Sequence, residues 1–212
     1  MPELTNNSPF ARFLPATLIP DASLSDDKLE TAASCGLDDE HIRCERTEQG
    51  TLRIYPPTPE TIWLMIQKLH REFVKSLLRV NICGQSVVRR RFFLDDWSML
   101  CPDVAYIAPG ADKKVEFIEF GQPLKLCPNF IVEFCSQPRE LRRLKDKMLR
   151  WMASGAELGW LIVPQEQCVY IYSPSSEPLI FDDEFAVGQG PCEHFVISLS
   201  ELWSLDQYRR VY

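Results

Sequence analysis

Two carboxylates and a lysine lie where the chain could support hydrolytic chemistry. Glu133 interrupts the otherwise apolar run of residues 130–135, which is typical of a buried strand, and Asp103 follows Pro102 at the start of a second short strand. Lys147 lies on the helix predicted directly after the Glu133 strand. A buried ionised carboxylate is costly unless a cation meets it. Carboxylates that hold Mg²⁺, with a lysine that positions water or offsets charge in the transition state, are the parts of a metal-dependent phosphodiester hydrolase.

The composition is that of one globular α/β domain. The chain has 212 residues, of which 45% are hydrophobic and 25% charged. Its eight cysteines form no CxxC pair and it has only three histidines, so the spacing supports no zinc site. We expect reduced thiols and a cytoplasmic protein without a membrane partner, because no apolar run approaches membrane-spanning length.

The net charge of −7 is unevenly distributed along the chain. The run 139–150 carries six basic and two acidic side chains, and a second basic group lies at residues 89–91. Such asymmetry allows a local anion-binding face on an acidic protein, although a solvated helix face is the commoner explanation of a charged run of this kind. Both interpretations of the basic run stay open at this point.

The predicted elements place the three residues around one sheet. Residues 1–23 have no periodicity and are expected to form a flexible leader, which leaves 24–212 as the domain. Thr58 is predicted to cap a helix whose apolar residues recur at helical spacing from Ile62 to Leu77, and the same spacing recurs over 139–154. Strands are predicted at 104–107, 130–135, 158–163 and 168–172, with a hairpin around Gly50. The order of strand, strand, helix, strand, strand predicts an α/β sheet whose right-handed crossover helix carries Lys147.

An ordered series of short motifs resembles a known family. In chain order the series is Glu45-Arg46-Thr47-x-x-Gly50, Pro56-Pro57-Thr58, Pro102-Asp103-Val104-Ala105, Pro128-Asn129-Phe130-Ile131-Val132-Glu133, Lys147-Met148, Gly155-Ala156-x-Leu158-Gly159-Trp160-Leu161-Ile162 and Val169-Tyr170-Ile171-Tyr172. Over residues 24–204 the series resembles the Uma-type family of restriction endonucleases, a branch of the PD-(D/E)XK nuclease superfamily.

The resemblance implies a fold and a set of site residues. The fold would be a single restriction-endonuclease-like domain, with a mixed β-sheet flanked by helices. Asp103 would be the superfamily aspartate, Glu133 the second carboxylate, and Lys147 the lysine, moved from the strand to the following helix. Glu45 would be an additional acidic residue. The chain has Cys135 where the superfamily signature places its lysine, and it also differs from the family at Arg139 and Val163.

The implied function is an endonuclease that uses Mg²⁺, or Mn²⁺, to hydrolyse DNA, with RNA as a second substrate to consider. Asp103, Glu133 and the backbone carbonyl of Phe134 would hold the metal, and Lys147 would orient the attacking water. Glu45 would bind a second metal or hold Lys147 in place. The predicted phosphate contacts, which position the strand without reading bases, are Arg89, Arg90, Arg91, Arg142, Arg143 and Arg150.

The alternative is a protein of another class with the same fold. In that case the nuclease fold has lost cleavage and serves as a nucleic-acid-binding or regulatory protein. Both interpretations predict a homodimer. The acidic overall charge and the changes at residues 135, 137–139 and 163 favour the alternative, and fold-level resemblance does not separate the two.

Overall fold

The computed structural model describes residues 16–18, 43–111 and 123–207. The predicted leader 1–23 lies outside the described residues except for a short strand within it. The strands are β1 Ala16–Leu18, β2 Arg43–Arg46, β3 Leu52–Tyr55, β4 Gln85–Val88, β5 Phe92–Phe93, β6 Met99–Leu100, β7 Val104–Ile107, β8 Phe130–Phe134, β9 Leu158–Val163, β10 Cys168–Tyr172, β11 Leu179–Phe181, β12 Phe185–Val187 and β13 Val196–Ser198. The helices are α1 Glu60–Arg79, α2 Leu141–Ala153 and α3 Leu199–Gln207.

A smaller antiparallel sheet has the strand order β1-β3-β2-β6-β5. Its centre is the hairpin predicted around Gly50, which adopts φ +84° in the turn, a conformation that glycine reaches at little cost. The hairpin register places Arg43 opposite Tyr55 and Glu45 opposite Arg53. Because alternate residues of a strand share a face, Arg43 and Glu45 lie on the same side of β2.

The main sheet is mixed and has the order β11-β10-β9-β8-β7-β4. Strands β8 and β9 are parallel and are joined through α2, whereas the other neighbouring pairs are antiparallel. The four strands predicted from the sequence therefore form the centre of this sheet, with the expected helix between them. Asp103 extends the ladder beyond β7, since its N–H donates to the carbonyl of Val132 at 3.0 Å.

The two faces of the main sheet bury different cores, and the strand periodicity decides which core each residue joins. Phe130, Val132 and Phe134 point toward α1 and α3. Ile131 and Cys135 point to the opposite face, where Leu144, Met148 and Trp151 of α2 pack. Glu133 lies between Ile131 and Cys135 in the alternation and therefore points to the α2 side. Gly159 allows this helix to approach the sheet closely, because a Cβ at that position would come within 2.5 Å of Met148 Cε.

Helix α1 confirms the predicted apolar stripe, since Ile62, Ile66, Leu69, Phe73 and Leu77 are all buried. Its start differs from the prediction, because Pro59 rather than Thr58 occupies the N-cap position and no side chain caps the helix. Residues 80–94 contain two short strands, β4 and β5, which belong to different sheets. Within the described ranges, the helices are each too short or too polar to cross a membrane.

Candidate active site

The four predicted catalytic residues meet where the two sheets and α2 come together. Glu45 comes from β2, Asp103 from the loop before β7, Glu133 from β8 and Lys147 from α2. All four are buried, with between 0 and 6% of each residue exposed. Charged residues are almost never so deeply buried unless they are paired. Their convergence agrees with the sequence prediction, and the role of each remains a prediction.

Lys147 is the centre of the charge network. Its ammonium contacts Glu45 Oε1 and Glu133 Oε1, the latter at 2.6 Å, and donates to the carbonyl of Cys101 at 2.9 Å. An ammonium has three N–H donors, so these three partners use its full capacity. The ammonium of Lys147 is therefore held between two carboxylates from different sheets.

Glu45 has both carboxylate oxygens engaged by protein groups. Oε1 contacts Lys147 and accepts from the N–H of Cys101 at 3.3 Å, and Oε2 accepts from the hydroxyl of Tyr55 at 2.9 Å. Burial alone would raise the pKa of Glu45, but the charges of Lys147 and Arg43 together lower it to about 2. These contacts favour a role in holding Lys147 over a role as a metal ligand.

Asp103 lies between two arginines and a backbone donor. Its Oδ2 accepts from the N–H of Phe134 at 2.8 Å, and its Oδ1 accepts from Arg89 Nη2 at 3.1 Å. Arg43 Nη1 lies 3.6 Å from the same Oδ1. The backbone hydrogen bond places the main chain of Phe134 beside Asp103, which is where the sequence predicted a carbonyl ligand for the metal.

Glu133 has one satisfied oxygen and one without a hydrogen bond. Oε1 pairs with Lys147 and accepts from Trp151 Nε1 at 3.2 Å. Oε2 is buried and has no hydrogen-bond partner among the described residues, and its nearest charge is Arg43 Nη1 at 3.6 Å. Burial raises the pKa of Glu133 against the opposing effect of the nearby ammonium of Lys147. A buried carboxylate oxygen without a donor is expensive, and it is the atom that a cation would satisfy best.

Arg43 and Tyr55 belong to the site but were absent from the sequence prediction. Arg43 faces Asp103 and Glu133, and the ring of Tyr55 lies 4.7 Å from its guanidinium and 4.6 Å from that of Arg143. Arg43 precedes Glu45 by two positions and shares its face of β2, but the predicted hairpin began only at Glu45 and therefore did not include Arg43. Tyr55 follows from the hairpin register, which puts it opposite Arg43.

The donor set suits Mg²⁺ in type and in number. In residues 43–111 and 123–207 no group of three or more His, Cys, Asp or Glu side chains is arranged as a metal cage. Mg²⁺ is commonly held by only one or two carboxylates, with water and substrate phosphates completing its shell. The free oxygen of Glu133, together with Asp103 Oδ1, provides such a pair. The residues thus fit a two-carboxylate site.

Three of the six predicted phosphate-binding arginines lie in the site or in a neighbouring cleft. Arg89 is part of the site, because Nη2 contacts both Asp103 and the hydroxyl of Thr58, and its backbone adopts φ +51°. Arg142 is exposed, and Arg90 and Arg91 are half-buried. Arg143 and Arg150 line the cleft described next.

A cleft of about 300 Å³ opens beside the buried network. Glu45 and Lys147 line it, as do four arginines, which are Arg46, Arg53, Arg143 and Arg150. Arg143 Nη1 donates to Tyr55 at 3.1 Å, whereas its Nη2 is buried and has no hydrogen-bond partner among the described residues. Acidic residues partly offset the positive charge of these arginines, and Glu48 lies 4.0 Å from Arg150. The cleft therefore has a basic lining and opens directly onto Glu45 and Lys147.

Comparison with known proteins gives a family and a solved structure of similar fold. The model of the Uma2 family, described as "putative restriction endonuclease", matches residues 27–189. The chain belongs to the Uma2 family. A crystal structure of a putative nuclease belonging to DUF820 from Anabaena variabilis has a TM-score of 0.64 and 20% sequence identity, and the match covers 76% of this chain and 90% of that chain. No curated protein matches the chain.

The similarity in structure establishes the restriction-endonuclease-like fold that the sequence predicted for this Uma2 member. The structure of this chain shows how Cys135 is accommodated. The thiol is buried on the α2 side and contacts the carbonyl of Gln137 at 3.2 Å, and burial raises its pKa to about 11, so it stays neutral. The positive charge next to Glu133 comes from Lys147 of α2 instead.

Proposed function

We propose that this Uma2 protein is a Mg²⁺-dependent endonuclease that hydrolyses DNA phosphodiester bonds at the Asp103 and Glu133 site. The observation that carries the proposal is the buried Oε2 of Glu133, which lacks a hydrogen bond and shares the nearby Arg43 nitrogen with Asp103 Oδ1. These two oxygens and the carbonyl of Phe134 would hold the metal. When bound, the ion would polarise the scissile phosphate and activate water.

The side chains around the carboxylates divide the remaining tasks. Lys147 contacts Oε1 of Glu133, so it does not compete for the oxygen assigned to the metal. Release of one of its three present contacts would let it orient the attacking water and offset charge on the phosphate. Glu45 would hold the ammonium close to the sheet.

The basic cleft is the proposed path of the DNA backbone. Arg143 would use its unpaired Nη2 for a flanking phosphate, and Arg150 would take the next contact by exchanging Glu48 for the substrate. Arginine suits this task because its planar guanidinium matches two phosphate oxygens. Such contacts position a strand without selecting its sequence, so RNA is a substrate to test in parallel.

A second candidate function is a nucleic-acid-binding or regulatory dimer without cleavage. The observation that favours it is the charge balance of the buried site, where three carboxylates, Glu45, Asp103 and Glu133, already face three cations, Arg43, Arg89 and Lys147. A network neutralised in this way can persist as a structural element. Sedimentation analysis of the full chain would test the predicted homodimer for both candidates.

Cleavage assays separate the two candidates. Supercoiled DNA, linear DNA and RNA should each be incubated with the wild-type protein in Mg²⁺, in Mn²⁺ and in EDTA. We expect metal-dependent cleavage of DNA that Asp103→Asn and Glu133→Gln abolish. Lys147→Ala should retain metal binding and lose rate, because a group that stabilises the transition state contributes little to binding in the ground state.

The matched control for these variants is Glu177→Gln, which removes one exposed carboxylate far along the chain in the loop before β11. It should cleave as the wild type does. Cleavage that persists unchanged in Glu133→Gln would contradict the assignment of the reaction to this site. Absence of cleavage with every substrate, together with metal binding unaffected by the carboxylate substitutions, would replace the proposal with the non-cleaving candidate.

A further inference from the structure

The guanidinium of Arg43 lies in contact with both proposed metal ligands. We propose that Arg43 occupies the position of the cation in the metal-free site, and that metal binds only as this guanidinium withdraws from Asp103 and Glu133. Arg43 would thus be a built-in competitor that lowers the metal affinity of the free protein. This inference rests on the proposed metal site and adds its regulation.

The contacts of Arg43 single it out from the other cations. Its Nη1 lies 3.6 Å from Asp103 Oδ1 and 3.6 Å from Glu133 Oε2, and these are the two oxygens that the metal would take. Lys147 uses the other oxygen of Glu133, and Arg89 reaches only Asp103. At 3.6 Å the arginine supplies charge without a hydrogen bond. It is therefore the cation that can be displaced with the smallest loss of hydrogen bonding.

Repulsion between the positive charges of Arg43 and a divalent ion opposes the binding of both at the same two oxygens. Arg43 is buried with only 10% of its side chain exposed, so water screens its charge poorly. A divalent ion at the same two oxygens would add two positive charges beside an existing one, while Arg89 and Lys147 stay in contact with the same carboxylates. The metal affinity that is measured then includes the free energy of moving the guanidinium, just as a ligand loses affinity when the binding-competent state is rarely populated.

Calorimetric titration of Mn²⁺ into the metal-free full chain tests the inference without relying on activity. Arg43→Gln should bind Mn²⁺ about tenfold more tightly than the wild type, or better, because one opposing charge is gone. Arg43→Lys keeps the charge and should stay closer to the wild type. Arg71→Gln removes the same charge from an exposed position on α1 and should leave the affinity unchanged.

The outcomes separate this inference from the proposed function. If the wild type and Arg43→Gln bind Mn²⁺ equally, or if Arg43→Gln binds more weakly, the competition is refuted while the metal site stands. Equal tightening by Arg43→Gln and Arg43→Lys also refutes it, since charge would not be the cause. Absence of Mn²⁺ binding in both proteins overturns the inference and the metal-dependent function together.

If Arg43→Gln is less stable than the wild type, its thermal unfolding provides a second test. Without its guanidinium the variant has two buried carboxylates with fewer cations, so it should melt at a lower temperature than the wild type when metal is absent. Mn²⁺ should then raise its melting temperature more than it raises that of the wild type, because the ion supplies the missing charge. An equal or smaller rise would contradict the inference.

Discussion

At the scale of single residues, the sequence revealed the anions of the site more readily than its cations. Glu133 was conspicuous because an ionisable group inside an apolar strand needs a partner. Arg43 gave a weaker signal, since an arginine on a short strand with mixed polarity is just as typical of a solvated face. The partners of Lys147 depended on how β2 and β8 meet, and no spacing within one element contains that information.

Lys147 should contribute strongly to stability as well as to the proposed chemistry. Replacement by methionine keeps much of the side-chain volume but leaves Glu45 and Glu133 buried without their shared ammonium. Breaking a buried ion pair from one side costs about 3–5 kcal/mol in the free energy of unfolding. The double variant Glu45→Gln/Lys147→Met removes one charge of each sign and should recover part of this loss. Urea unfolding measures both, and a double variant less stable than Lys147→Met would contradict the charge network.

The low pKa of Glu45 predicts a pH-dependent contribution to stability. Its pKa falls from 4.5 to about 2 in the folded protein, so the folded state binds the proton more weakly than the unfolded state. The stabilisation is fully present above the unfolded value and is lost as the pH falls toward the folded value. The stability difference between the wild type and Glu45→Gln should therefore shrink between about pH 5 and pH 3 in urea unfolding. A difference independent of pH would show that ionisation of Glu45 does not stabilise the fold.

At the scale of elements, strong periodicity predicted structure well and weak periodicity did not. The stripe of α1 and the buried strands β7 to β10 were visible because each buries a regular set of apolar residues. Strands β11 to β13 are three residues long and partly exposed, so their alternation is too short to recognise. The predicted start of α1 was one residue too early, because Thr58 accepts a hydrogen bond from Arg89 instead of capping the helix.

Helix α2 should be held in place by its buried face alone. Leu144 is completely buried against the main sheet, whereas Leu149 on the same helix is 54% exposed. Leu144→Ala should lower the free energy of unfolding by about 2–5 kcal/mol, because it removes buried apolar surface and leaves a cavity. Leu149→Ala has the same chemistry and should change it by about 0.5 kcal/mol or less. Equal losses in urea unfolding would mean that α2 does not pack as described.

At the scale of the whole molecule, an acidic protein presents a local basic cleft beside its buried site. The net charge of −7 gave little indication of nucleic-acid binding, and the basic run of 139–150 allowed a solvated face. In the structure, the basic side chains of this run lie on different faces of α2. Arg143, Lys147 and Arg150 line the cleft, whereas the ammonium of Lys145 lies 4.1 Å from the ring centre of Tyr170. The sequence could not assign these basic residues to different faces of α2, because the assignment depends on which face of the helix packs against the sheet.

Salt dependence of DNA binding distinguishes the two faces of α2. Replacing Arg143 and Arg150 by glutamine should weaken binding to all sequences alike and flatten the dependence on salt by roughly one unit for each phosphate that is no longer bound. Lys145→Gln removes a charge from the same helix outside the cleft and should leave the slope near that of the wild type. Fluorescence anisotropy over a range of salt concentrations measures these slopes. If Lys145→Gln flattens the salt dependence as much as the substitution of Arg143 or Arg150 does, the cleft is not the path of the DNA.

The proposed reaction depends on a divalent metal that Asp103 and Glu133 hold together. Calorimetric titration of Mn²⁺ into the metal-free wild type, Asp103→Asn and Glu133→Gln tests it most directly, with circular dichroism to establish that each variant is folded. We expect the wild type to bind the ion and neither folded variant to bind it, because each variant lacks one of the two carboxylates. Equal Mn²⁺ binding by all three proteins would contradict it.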